Sequence, residues 1–284
     1  MDAVPHLRAL TRSQGSLIRR LLCDKNVRSQ EGTFVVEGVK SCLDLISRHA
    51  HSIRSLVLSP RYLRAETDAD RQVRSQLPAC QWVCPDTVFE KLTDVEMPQG
   101  MLAVVRQPRW DEAQVFTQPR VLGIYADRLQ DPANVGAIIR TAAALNLSGV
   151  WLSAECADLF SPKVVRATAG SILNLPVFWG CEFLTFSSYQ CEIYSALLPS
   201  ADIVSIRTIQ KISSRLVIAV GNEGAGLAPD VAQASHVKFS IPLADGVESL
   251  NVAATVAISA FYFSGLPRDS SIERGETSKL CRDI

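Results

Sequence analysis

Val121-Leu122-Gly123-Ile124-Tyr125-Ala126-Asp127 is an apolar run closed by an acid, and the chain then turns through Pro132 into Asn134-Val135-Gly136-Ala137-Ile138-Ile139-Arg140. A continuous apolar run of this length reads as a strand buried on both faces, the kind that builds parallel sheets. Asp131 is placed to cap a helix whose first position is Pro132, so the spacing predicts a helix from 132 to about 145. The next apolar run, Gly149-Val150-Trp151-Leu152-Ser153, predicts a second strand. Strand, helix and strand in that order imply an α/β fold with a mostly parallel sheet covered on both faces. Asn134 to Arg140 then lies beyond the carboxyl end of a strand, where such sheets bind ligands.

Downstream, residues 164–169 read as helical, 192–198, 216–220 and 237–241 as strands, and 250–263 as a closing apolar helix. Two further segments occupy the same kind of position as the first. Gly221-Asn222-Glu223-Gly224-Ala225-Gly226 follows the strand at 216–220. Ile241-Pro242-Leu243 follows the strand at 237–241 and runs on to Glu248-Ser249-Leu250-Asn251 before the last helix. Upstream, helices at 13–26 and 39–49 alternate with strands at 33–38, 55–59, 81–84 and 101–106, with a polar helix ending near 77. This organisation gives an N-terminal unit at 1–106, a proline-marked linker at 107–119, a second α/β unit at 120–266, and a polar tail at 267–284, expected to be disordered.

The chain has 29 Lys/Arg and 29 Asp/Glu, but residues 1–110 hold 16 basic against 12 acidic residues. Arg8, Arg12, Arg19, Arg20, Lys25 and Arg28 stand in the first 28 residues, opposite an apolar stripe of Leu17, Ile18, Leu21 and Leu22. Such a face suits a polyanion, or is simply solvated. Eight dispersed cysteines without metal-ligand spacing read as reduced residues of a cytoplasmic protein, and no metal site is expected. The longest apolar stretch, 252–263, is too short to span a bilayer.

Asn134-x-Gly136-x-x-x-Arg140, Gly221-Asn222-Glu223-Gly224 and Ile241-Pro242 with Ser249-Leu250-Asn251 resemble the three motifs of the SpoU/TrmH RNA 2'-O-ribose methyltransferases, of the SPOUT class. The likeness covers residues 119–264, including Ser161 to Gly170; Leu243 stands where the family usually has methionine. Residues 13–105 are similar in pattern to the family's N-terminal substrate-binding domain, which has a ribosomal-protein-like α/β fold. The resemblance implies a C-terminal trefoil knot, S-adenosyl-L-methionine as cofactor, a homodimer with the final helix at its interface, and structured RNA as substrate. Ribosomal RNA is favoured because the C-terminal tail is not basic. Transfer RNA, or a catalytically silent RNA-binding or ribosome-assembly factor of the same fold, are the alternatives.

Carried onto this chain, the resemblance assigns activation of the ribose hydroxyl to Arg140. A guanidinium is a poor base because its pKa exceeds about 12, so binding the hydroxyl and phosphate and stabilising alkoxide charge suits it better. Asn134 is expected on roughly the same helix side, orienting Arg140 or Glu223. Glu223, read as a charge at a buried strand end, would hold Arg140 or a nucleotide hydroxyl. Gly221, Ile241 and Leu250 would bind the cofactor, Gly221 by letting backbone approach it closely. Ser249 and Asn251 would cap the last helix and line the catalytic side. Arg19, Arg20 and Arg166 are the candidate RNA contacts.

Overall fold

The computed structural model describes residues 7–77 and 80–269. Along the chain run β1 (Arg8–Ala9), α1 (Arg12–Cys23), α2 (Lys25–Glu31), β2 (Thr33–Glu37), α3 (Val39–His49), β3 (Ile53–Leu58), α4 (Pro60–Ala65), α5 (Asp68–Ser75), β4 (Cys80–Val83), α6 (Asp86–Phe89) and β5 (Met101–Arg106). There follow α7 (Glu112–Val115), β6 (Val121–Ala126), α8 (Pro132–Ala144), β7 (Gly149–Leu152), α9 (Pro162–Ala167), β8 (Val177–Trp179), α10 (Thr185–Ser188) and β9 (Glu192–Ala196). The last elements are β10 (Val204–Ser205), β11 (Ile212–Ser213), β12 (Arg215–Val220), α11 (Pro229–Gln233), β13 (Val237–Ser240), α12 (Val252–Ser264) and β14 (Arg268–Asp269).

Two compact units emerge. The first gathers, of the described residues, 7–77 and 80–110 with 130–140 and 156–175. Its sheet has the order β1-β4-β3-β5-β2, with β5 antiparallel to both of its neighbours. Ile18, Leu21 and Val27 pack on Val35, Val57, Leu102 and Val104 to form its core. The helix expected at 13–26 is two helices. Asp24 adopts an extended conformation and turns its carboxylate to the Asn26 N–H at 2.8 Å, ending α1 and capping α2. Arg28, counted among the exposed basic residues, is buried in this unit and paired with Asp158.

Segment 156–175 is fastened to the first unit by that pair, by Phe34 against Phe160 with ring centroids 5.0 Å apart, and by a 2.6 Å hydrogen bond between His49 Nε2 and Asn174 Oδ1. Helix α8 lies on α9 at Gly136. A Cβ there would stand 2.3 Å from the Ala167 Cβ and 2.9 Å from the Val164 carbonyl oxygen. The motif glycine therefore serves helix packing.

The second unit gathers, of the described residues, 111–129, 141–155 and 176–269. Its main sheet has seven strands, all parallel, in the order β10-β13-β9-β12-β6-β7-β8. Strands β8 and β10, too short to show periodicity, were not legible in the sequence. The expected linker is partly core: Val115 and Phe116 are buried, Phe116 stacks on Trp151 at 5.2 Å, and Glu112 accepts the Trp151 indole N–H at 2.7 Å. Two residues read as the start of the tail, Arg268 and Asp269, form β14 beside β11; residues 270–284 lie outside the described residues. The seven described cysteines form no disulfide, and Cys281 lies outside the described residues. Burial pushes the Cys84 and Cys191 thiols up to about 11 and that of Cys181 to about 12. No helix among the described residues is long and apolar enough to cross a membrane.

Gly136→Ala must push α8 and α9 apart or strain both. It should destabilise the protein by about 1–3 kcal/mol, read as a lower urea midpoint at unchanged slope. An unchanged midpoint would show that the two helices separate freely.

Candidate active site

Strand β12 pairs with β6 in register from Arg215 opposite Val121 to Val220 opposite Ala126, so Gly221 and Asp127 leave the sheet together. The Asp127 N–H donates to the Val220 carbonyl at 2.8 Å, extending the ladder by one bond. The chain then doubles back. Asn222 and Gly226 bond each other's backbone at 3.0 and 2.9 Å, closing a small loop. A Cβ on Gly221 would stand 2.2 Å from the Gly226 carbonyl carbon and the Leu227 nitrogen. The close approach expected at Gly221 is thus made to the returning arm of its own loop.

Three side chains that sequence reasoning passed over fix this loop. Asn222 Oδ1 accepts from the Gly224 and Ala225 N–H groups, both at 2.9 Å, and its Nδ2 donates to the Arg128 carbonyl at 2.9 Å. Arg128 has φ 56°, a left-handed conformation that costs a side-chain-bearing residue roughly 1–2 kcal/mol. Its N–H donates to Ser153 Oγ at 2.9 Å, and its Nη2 donates to the Gly226 carbonyl at 3.1 Å. Asp127, buried, accepts from the Ala228 N–H at 2.8 Å and from Arg128 Nε at 3.1 Å through one oxygen. Asp127 and Asn222 were visible as polar residues at a strand end. Nothing in the sequence marks Arg128 as left-handed.

Glu223 sits at the exposed tip of this loop. The desolvation cost inferred from a buried strand end does not apply, because the loop leaves Glu223 exposed. Residues 241–250 form a second irregular loop after β13, separated from the first at the sheet edge by β9 alone. Two strand spacings make that about 10 Å. Ile241 is half-buried, while Leu250 and Val247 are exposed, so Leu250 is not a core residue. Asn251 caps α12, its Oδ1 accepting from Ala253 N–H at 2.9 Å and Ala254 N–H at 3.3 Å. Ser249, expected to share that role, lies outside the cap and is exposed.

Asn134, Arg140 and Arg166 belong to the first unit. Asn134 is buried and Arg140 exposed. At about 100° per residue the six-residue interval separates them by roughly 120°, so they do not share a helix face. Arg166 is engaged by two carboxylates, with Nη2 3.0 Å from Asp94 Oδ2 and Nη1 3.7 Å from Glu37 Oε2. A phosphate would have to displace one of them. Arg19 and Arg20 are exposed on α1, away from buried Ile18 and Leu21.

A parallel α/β sheet with two shaped loops at its carboxyl edge defines a ligand-binding enzyme fold. The profile of the SpoU rRNA Methylase family matches residues 122–261, and that of the MRM3-like substrate binding domain matches residues 18–103. The 23S rRNA (guanosine(2553)-2'-O)-methyltransferase RlmP of Bacillus subtilis is 30% identical over 250 residues, covering 85% of this chain and 92% of its own. The 23S rRNA (uridine(2479)-2'-O)-methyltransferase of Streptomyces viridochromogenes is 28% identical, with 85% of each chain covered. Among solved structures, an AdoMet-bound rRNA methyltransferase from Sinorhizobium meliloti superposes with a TM-score of 0.74 at 28% identity, over 90% of this chain and 95% of that one. The chain belongs to the SpoU rRNA methylase family, whose cofactor is S-adenosylmethionine.

The loops fit that cofactor. Leu250 and Val247 expose apolar surface suited to an adenine face, beside irregular backbone at the sheet edge. Asn222→Ala removes one donor and a doubly used acceptor, a loss of about 1–3 kcal/mol in loop order. It should weaken S-adenosylmethionine binding about tenfold or more in calorimetry. An unchanged Kd would dissociate the loop's shape from cofactor binding.

Proposed function

We propose that this protein transfers a methyl group from S-adenosylmethionine to a ribose 2'-hydroxyl of ribosomal RNA. The observation that carries the reading is the braced loop at 221–228, in a chain matching both the methylase and the substrate-binding profiles. The cofactor supplies an electrophilic methyl on a sulfonium. Gly221, Ile241 and Leu250 hold it, chiefly through backbone and apolar contact. Arg140, exposed on α8, donates to the ribose 2'-oxygen and the adjacent phosphate and stabilises the charge that develops as the proton leaves for phosphate or water. Asn134 acts from its buried position on α8, and Glu223, Ser249 and Asn251 act as polar groups on the exposed loops. Arg19 and Arg20 contribute phosphate contacts from α1.

The relatives' 23S rRNA substrates support rRNA over tRNA. A knotted path is supported by the strand order, since β12 enters between β6 and β9, both earlier in the chain. A homodimer is supported by α12, which is apolar around its circumference yet leaves Phe261 71% and Ile258 43% exposed. Work in the cytoplasm suits cysteines that form no disulfide among the described residues.

The test is transfer of labelled methyl from S-adenosylmethionine to 23S rRNA, with the product mapped at ribose 2'-oxygens. Arg140→Ala should lower the rate at least about a hundredfold while cofactor affinity stays within about twofold; loss of both would assign Arg140 a structural role instead. Ile258→Asp with Phe261→Asp should shift the sedimenting species to a monomer. A dimer that survives both changes would move the interface elsewhere.

A further inference from the structure

The first unit contains a cleft of about 180 Å³ that the reading so far does not use. Phe89, Met97 and Met101 give it apolar walls, and Glu37, Gln99 and Arg166 supply its polar groups. The Glu37 side chain is only 6% exposed. One oxygen, Oε1, accepts the Asp94 N–H at 3.0 Å. The other, Oε2, is buried with no hydrogen bond, and so is Arg166 Nη1, which lies 3.7 Å away. At that separation the two attract as charges without satisfying each other's hydrogen-bonding capacity. Burial raises the Glu37 carboxyl above its ordinary value, against the lowering effects of the Asp94 N–H, Thr93 and Arg166. A buried acceptor and a buried cationic donor therefore stand side by side, unfulfilled, at the wall of an apolar slot.

This is the complement of a nucleobase edge. Each of the four bases presents an N–H donor next to a ring nitrogen or carbonyl acceptor, and its faces are apolar. The volume lies below the roughly 300–1,000 Å³ of drug-sized sites and suits one planar heterocycle. Met97 is 85% exposed at the cleft, and a long, polarisable thioether is well suited to lie on a flat ring. Sequence-specific proteins commonly take single-stranded RNA by splaying out bases and hydrogen-bonding their edges.

We propose that this cleft receives one unstacked base of the RNA substrate, with Glu37 Oε2 accepting a base N–H, Arg166 Nη1 donating to the neighbouring acceptor, and Met97 covering the ring. The proposal rests on the RNA methyltransferase reading and adds to it a base-recognition site in the first unit.

The chain has three methionines, Met1, Met97 and Met101, so methyl-labelled full-length protein reports on the cleft through two resonances and keeps the third as a reference. Titration with AMP, GMP, CMP and UMP to about 10 mM should shift the Met97 and Met101 methyls with at least one nucleotide. Glu37→Gln should weaken that response about threefold or more, and Met97→Ala should weaken binding of 23S rRNA in a filter assay. If the wild type binds rRNA but no nucleotide moves either methyl, the cleft proposal falls and the RNA reading stands. If nucleotides shift the methyls while Met97→Ala and Glu37→Gln bind rRNA like the wild type, the cleft takes free nucleotides and the proposal is overturned. If the wild type binds no rRNA, both readings fail.

Discussion

At Gly221 backbone lies against backbone, closer to Gly226 and Leu227 than any side chain would permit. The loop's other features follow from that contact. The chain must reverse within a few residues of leaving β12, and the bridge between Asn222 and Gly226 is what the reversal produces. So tight a turn leaves N–H groups pointing inward, and the Asn222 carboxamide meets two of them. Its remaining donor reaches across to Arg128, whose left-handed backbone is tolerated because Ser153, Asn222 and Gly226 all hold it. Strain of this kind persists where the surroundings over-determine it. The loop is therefore a shaped, rigid rim of the sheet, with Glu223 carried outward on its tip.

The arginines show how little formal charge says about role. Arg28 is spent on Asp158 inside the first unit, and Arg74 is buried against Glu66 with Gln81 as a further acceptor. Both serve architecture, since removing one partner of a buried pair strands the other charge. Arg166 is intermediate: bonded to exposed Asp94, but only loosely opposed to buried Glu37. Arg19, Arg20 and Arg140 are exposed and fit polyanion or substrate contact. The basic excess of residues 1–110 therefore overstates the positive surface offered to RNA.

Glycines divide in the same way. The sequence places Gly136 and Gly221 in motif segments and reads Gly221 as serving a ligand. In the structure Gly136 brings α8 onto α9, and Gly221 closes its own loop. Each supports the site indirectly, by setting the position of neighbouring residues that bear side chains. Leu250, read as the start of the closing apolar helix, instead precedes α12 and is an exposed apolar surface at the sheet edge.

The sequence by itself determined the α/β class, the long buried strands, the capped helix after β6 and the three motif segments, because each is written in short-range apolar pattern and cap chemistry. It did not show that Asp24 splits the first helix, that residues 115 and 116 belong to a core, or that two residues beyond Leu266 form a strand. Those outcomes depend on what a few residues pack against, and short elements carry no period to read. Tertiary structure alone decided that Asn134 is buried while Arg140 is exposed, that Arg166 is paired, and that Glu37 stands buried beside a cleft with an unused oxygen. The physical reason is common to all three: burial and pairing are set by neighbours distant in the chain, and residue identity is silent about them.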